Sequence, residues 1–261
     1  MTTDSDAAGS EHPAPCADPA IVADLVPRDR RTQGLALRAD ESGRTYSYYD
    51  FITTSYKAGN VLRYLGVSEG DEVLVVPDAV PEPILTFFGA AQLGAVTRFA
   101  DDVGEALPRA VVAPAAREDD FDLPPGHKLA VYGDPPSSPE TTHWETEVWS
   151  ENPAIHPATV TGTDALLAAG DRPVTHVDAL AAASAVAADA ELGAGAEVAV
   201  RGSLADPNVV VAGLLAPLVA GATIVLPDAS TDAGAAAAGD TATAGVVAPS
   251  GSLDATTHFP E

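Results

Sequence analysis

Apolar and polar positions along this chain switch repeatedly between the two-residue period of a strand and the longer period of a helix. Leu35-Ala36-Leu37-Arg38 can form a strand, Asp40-Glu41-Ser42-Gly43 supplies a turn, and Arg44-Thr45-Tyr46 returns. Ser47 and Asp50 have the spacing of a capping box, in which the serine oxygen accepts a backbone N–H and the carboxylate reaches back. Phe51, Ala58, Leu62 and Leu65 then recur on one helical face, and Gly66 stops the helix. The pattern predicts a strand over 72–76, a helix over 81–93 ended by Gly94, and a strand over 95–99. Weaker strands follow at 110–113 and 128–132.

The later half repeats this order. Leu65-Gly66, a short turn and a strand opening on Glu72-Val73 correspond to Leu192-Gly193, a turn and a strand opening on Glu197-Val198. Each is followed by a Pro, an apolar helix and a Gly-Ala pair, Gly94-Ala95 or Gly221-Ala222, before another strand. Apolar strands alternating with helices imply an α/β fold of mostly parallel sheets covered by helices. The expected organisation is a disordered acidic leader over 1–20, a first α/β half over 21–132, an irregular Pro-rich connection over 133–162 and a second half over 163–261. Trp144 and Trp149 are expected to pin that connection to the domain, since it has few other large apolar groups.

Charge narrows the functional classes. The chain has 38 acidic and 13 basic residues, a formal net charge of -25, and its carboxylates are scattered rather than blocked. Such self-repulsion is tolerated where salt screens it, so a salt-adapted, cytoplasmic protein is expected. Nucleic acid is excluded as a partner because it needs clustered cations. The one local basic cluster, Arg28, Arg30 and Arg31, reads as a solvated helix edge. No apolar run is long and uninterrupted enough to predict a membrane span. Cys16 is the only cysteine, which excludes an internal disulfide, and it reads as lying in a mobile tail with no local cation to activate it.

No complete catalytic site follows from the residues, so no catalytic or metal-ligating residue is assigned. The loop after the first sheet strand, Pro77-Asp78-Ala79-Val80-Pro81, lacks the glycines of a dinucleotide fingerprint, and Gly59, Gly66 and Gly70 read as helix and turn punctuation. His12, His127, His143, His156, His176 and His258 include no pair at helical metal-binding spacing. His176 reads as a surface histidine at a helix start. Asp101/Asp102 and Asp119/Asp120 have no converging partner. Ser250-Gly251-Ser252, after a predicted strand over 246–248, reads as a turn.

An ordered series of segments adds a resemblance. Arg44-Thr45-Tyr46-Ser47-Tyr48, then Lys57 through Val67, Gly70-Asp71-Glu72-Val73, Pro81-Glu82 and Gly89 through Val96 together resemble the AMP-forming acyl-CoA synthetase and adenylating-enzyme superfamily. Asp164 through Leu167 and Thr175 through Leu180 resemble the flanks of that family's phosphate-binding loop, and residues 207–226 the helix and strand beyond it. Family members carry a Ser/Thr/Gly-rich loop ending in Pro-Lys-Gly between those flanks. Here the interval is Ala168-Ala169-Gly170-Asp171-Arg172-Pro173-Val174, with one glycine, no hydroxyl, an added acid, and Arg172 as the one cation. The family's adenine- and ribose-binding segments, its Mg²⁺-associated Glu and its C-terminal domain have no counterpart before Glu261.

The resemblance therefore implies a truncated relative that does not form acyl adenylate alone. No cofactor is expected, and the role is binding a protein partner, an oligomer mate, or an acyl or nucleotide-like small molecule. The alternative is a ligase subunit whose missing loop and lid come from a partner chain, in which case ATP, Mg²⁺ and CoA would be required.

Overall fold

The computed structural model describes residues 12–170 and 172–228. The first strands are β1 (Leu35–Ala39) and β2 (Arg44–Ser47), an antiparallel pair that leads directly into α1 (Tyr48–Tyr64). Ser47 caps α1 by accepting the Asp50 N–H at 3.1 Å, as the spacing predicts. The Asp50 carboxylate, however, takes the Ser47 hydroxyl at 2.6 Å rather than reaching back to the Ser47 backbone.

β3 (Glu72–Val75), α2 (Pro81–Leu93), β4 (Val96–Phe99), β5 (Ala110–Pro114) and β6 (Lys128–Tyr132) follow, within a residue or two of expectation. Pro81 opens α2, where a missing N–H costs nothing, and Gly94 ends it in the left-handed region at φ 71°. Residues 133–162 are less irregular than their prolines suggest, for they hold β7 (Thr142–His143) and α3 (Trp144–Ser150). The later half contributes β8 (Ala165–Leu167), β9 (Val174–Thr175), α4 (His176–Asp189), β10 (Glu197–Ala199), α5 (Pro207–Val210), a π turn over Val211–Leu215, α6 (Ala216–Ala220) and β11 (Thr223–Leu226).

Two sheets result, with strand orders β7-β6-β5-β3-β4-β8-β9 and β10-β11-β1-β2. All neighbours are parallel except β1–β2 and β8–β9. The predicted α/β class is thus the observed one. The expected halves, by contrast, are interleaved. β1 from the first pairs with β11 from the second, Leu37 opposite Ile224, while β8 joins β4 through Thr97 and Leu167. The opening glutamates of the repeat serve one purpose in both copies. Glu72 accepts from Arg98 Nε at 2.7 Å, and Glu197 accepts from Arg38 Nη1 at 2.5 Å.

Val73 and Val75 face the main core, which both sheets and the helices share. Leu74 and Val76 point to the other face of the larger sheet, where Val111, Ala113 and Phe121 close a smaller cluster. Every residue of α2 is buried, so it is a central helix rather than a covering one. It crosses α1 at two glycines: a Cβ added at Gly89 would lie 2.5 Å from the Gly59 nitrogen. Gly59 is therefore a close-packing position inside α1, not punctuation.

Four further expectations change. Residues 12–20, expected to belong to a disordered leader, are strapped to the end of α6. The Cys16 N–H meets the Val219 carbonyl at 2.7 Å and His12 Nδ1 lies 3.1 Å from the Gly221 carbonyl. Arg30 is no solvated edge, since it donates to the carbonyls of Leu25, Ala14 and Leu218 and so ties strap, turn and helix together. Cys16 packs half-buried against the core near Arg30, and burial raises its pKa. Trp144 does pin the connection, donating from Nε1 to Thr86 Oγ1 at 3.0 Å, but Trp149 is 86% exposed. Among the described residues no helix is long and apolar enough to cross a membrane. The strand expected over 246–248 and Ser250 to Ser252 lie outside the described residues.

Candidate functional site

In the larger sheet β3 connects to β4 on one side, while β5 and β6 build outward on the other. The topological switch point is therefore between β3 and β5, and the crevice beyond their carboxyl ends is where an open α/β sheet takes a ligand. A cleft of about 510 Å³ occupies that place, lined by Asp78, Val80 and Glu82 after β3, Pro114 to Ala116 after β5, and Tyr132 to Asp134 after β6. Ser42, Arg44 and Glu145 close its sides.

Four of its five charged groups are already engaged. Glu82 is 2% exposed and receives both terminal nitrogens of Arg44, Nη2 to Oε2 at 3.0 Å and Nη1 to Oε1. The Tyr132 hydroxyl donates to Asp78 at 2.7 Å, and burial with that bond raises the phenol's pKa. Glu145 accepts the Gly133 N–H at 2.7 Å through Oε1, and its other oxygen lies 3.2 Å from His143 Nε2. Burial raises the Glu145 carboxyl above the usual range, reinforced by the neighbouring Glu82 charge. With Asp134, the cleft sets four carboxyl groups against the single guanidinium of Arg44. That balance repels a polyphosphate and favours groups that donate hydrogen bonds.

The resemblance points to a second place, the junction between β8 and β9. These two strands pair antiparallel, Ala165 opposite Thr175 and Leu167 opposite Val174, so the chain between them closes a tight connection. Gly170 has φ 58° and is exposed, with open space where a side chain would sit. Arg172 is exposed. Thr175, at the far side, spends its hydroxyl capping α4 by accepting the Asp178 N–H at 3.2 Å. Among the described residues of this junction no group of amides gathers around one point, as a phosphate nest requires.

The histidine singled out by sequence is not at the surface. His176 is fully buried, and its Nδ1 accepts the Val22 N–H at 3.1 Å. His156 is buried too, stacked on Tyr56 with centroids 5.8 Å apart. Burial lowers both pKa values to about 4. Both rings are therefore neutral at pH 7, and neither faces the switch-point cleft. Between the ordinary imidazole value of about 6.5 and about 4, the unfolded chain binds protons that the folded one refuses, so stability falls on acidification. Glu145, with its raised carboxyl, acts in the opposite sense near the bottom of that window. Urea midpoints should accordingly drop between pH 7 and 5, with a shallower slope in His156→Gln; a flat profile would contradict the burial argument.

Asp101 and Asp120, which had no inferable partner, are bridged by Arg117, at 2.9 Å to each. Among the described residues no group of three or more His, Cys, Asp or Glu side chains could hold a metal ion. Arg44, Glu82, Tyr132 and Glu145 were not legible as a site, because their convergence depends on strand order. The one local signal was the loop of residues 77–81, which follows the strand beside the switch point.

No family model matches the sequence. Over 69 residues the chain is 32% identical to the acetyl-coenzyme A synthetase of Gemmatimonas aurantiaca, a segment covering 26% of this chain and 11% of that protein. The anthranilate CoA ligase AuaEII, solved with anthranoyl-AMP, superimposes with a TM-score of 0.70 at 19% identity, over 82% of this chain and 46% of that one. MatB from Rhodopseudomonas palustris gives 0.64 at 16% identity, over 78% and 44%. The N-terminal domain of FACL13 from Mycobacterium tuberculosis gives 0.65 at 17% identity, over 78% and 56%. The chain thus spans about half the length of these solved structures and a ninth of that synthetase. It has the fold of the N-terminal subdomains of AMP-forming acyl-CoA and acid–thiol ligases.

Proposed function

We propose that this chain is an acyl-CoA-ligase-like protein that does not form acyl adenylate by itself and acts as a binding module. The carrying observation is the β8–β9 junction, where Gly170 and Arg172 are exposed and the sequence between the strands has one glycine, no hydroxyl and no lysine at the place that resembles the phosphate loop of relatives. Adenylation requires charge stabilisation around the transferring group and in-line placement of a carboxylate. The switch-point cleft supplies neither, having four carboxyl groups around one already engaged arginine. It suits the neutral, donor-bearing part of an acyl or nucleotide-like small molecule, offered to Asp78 and Glu145. The net charge of -25 supports a salt-adapted protein, so assays belong in high salt.

Purified protein in molar KCl with ATP, Mg²⁺, CoA and a panel of carboxylic acids should release no acid-dependent pyrophosphate above the blank. Turnover that disappears in Arg172→Ala would overturn the reading.

A further inference from the structure

The N-terminal strap is latched by a hydrogen bond that only a neutral imidazole makes. His176, the first residue of α4, is fully buried, and its Nδ1 accepts the Val22 N–H at 3.1 Å. An accepting Nδ1 places the ring proton on Nε2, which has no hydrogen-bond partner among the described residues. A second proton must therefore go to Nδ1. It turns that acceptor into a donor aimed at another donor, and the bond to Val22 is lost.

Two carboxylates face the ring, Asp164 ahead of β8 and Asp24 on the 3-10 turn over Val22–Leu25. Both are committed to backbone amides. Asp164 accepts the Thr161 N–H at 2.7 Å, and Asp24 accepts those of Ala20 and Ile21 at 2.8 and 3.0 Å. On the helix itself Asp178 takes the Thr175 hydroxyl at 2.7 Å. Burial of the ring outweighs the pull of Asp164 and Asp24, so its pKa falls to about 4.

The rest of the strap is held by single bonds. Cys16 N–H and His12 tie it to the carbonyls of Val219 and Gly221, and the Cys16 thiol donates to the Asp24 carbonyl at 3.4 Å. Arg30 closes the segment at its far end, donating to the carbonyls of Leu25 and Leu218 at 2.7 and 3.0 Å. Acid does not loosen the chain through charge, because protonating carboxylates shrinks the net charge of -25 and its self-repulsion.

We infer that residues 12–24 form an acid-released strap: a proton from solvent on His176 Nδ1 expels the Val22 amide, and the segment leaves the end of α6, hinged at the Arg30 clamp, while both sheets stay folded. Val22 is fully buried and must leave the core, which keeps the open form scarce at pH 7. Between about 6.5 and about 4 the open form binds a proton that the closed form refuses. Opening therefore gains about tenfold per pH unit, and about a hundredfold from pH 7 to pH 4. The inference is independent of whether the chain adenylates.

Cys16, the only cysteine, lies in this segment and reports its release. In molar KCl its labelling rate with a dipyridyl disulfide, divided by that of the urea-unfolded chain at the same pH, should rise about a hundredfold from pH 7 to pH 4. Protection of the Val22 amide from hydrogen exchange should fall by the same factor, while the amides of α2 keep theirs. His176→Asn, whose Oδ1 stands where Nδ1 stands and takes no proton, should abolish the rise and leave Val22 protected. Should that variant not fold, the contrast between Val22 and α2 in the unaltered chain decides alone. A rise that persists in His176→Asn would assign release to Asp24 or another carboxylate and overturn the proposal. So would a flat labelling rate, or loss of α2 protection in step with Val22, the mark of global unfolding.

Discussion

Gly89→Ala should destabilise the fold by about 2–3 kcal/mol, although alanine is the better helix former by about 1 kcal/mol. The added methyl would sit 2.5 Å from Gly59 N, 3.0 Å from the Ala58 carbonyl carbon and 3.0 Å from the Ser55 carbonyl oxygen. All three are backbone atoms of α1, so no side chain can turn aside. The two helices must separate, and the core they share between both sheets must loosen with them. Denaturant titration measures the effect as a lower midpoint at unchanged slope. Gly193→Ala, where a Cβ meets nothing within 4 Å, is the matched control and should be near neutral. An unaffected midpoint in Gly89→Ala would mean that the crossing is wider than described.

The second large effect concerns the buried end of the switch-point cleft. Arg44→Ala should cost about 3 kcal/mol, because it leaves the Glu82 carboxylate, 3% exposed in its side chain, without its counter-charge. The 40% exposure of the Arg44 side chain keeps the expected loss at the low end, since water can follow the removed guanidinium. Removing both charges is a different matter. Arg44→Ala combined with Glu82→Leu should recover most of the loss, for no ion then remains to be desolvated. A double-mutant cycle by thermal or urea unfolding decides the point, and a double variant no more stable than Arg44→Ala alone would refute it.

Sequence pattern located the elements well where local chemistry sets their ends. Ser47 caps α1, Gly94 terminates α2, and the two Glu-Val pairs open β3 and β10. It failed where distant partners decide. The strap of residues 12–20 is ordered by carbonyls at the end of α6, over 200 residues away for His12, which no local signal encodes. His176 looked exposed because a helix start usually is, yet the chain segment around Val22 covers it. The switch-point cleft is the strongest case. Its residues come from five separated stretches, and three of these become neighbours only through the strand order β6-β5-β3.

The interleaving of the two sheets also bears on how the chain emerges from the ribosome. β1 and β2 are made early, but the partner for β1's other edge, β11, is among the last described strands to appear. Throughout that delay the hairpin presents an open row of amides and carbonyls while the larger sheet completes beside it. Premature release or a pause before β11 would leave that edge free to pair with a neighbouring nascent chain. Aggregation during expression should therefore originate at residues 35–39 and respond to charged substitutions there.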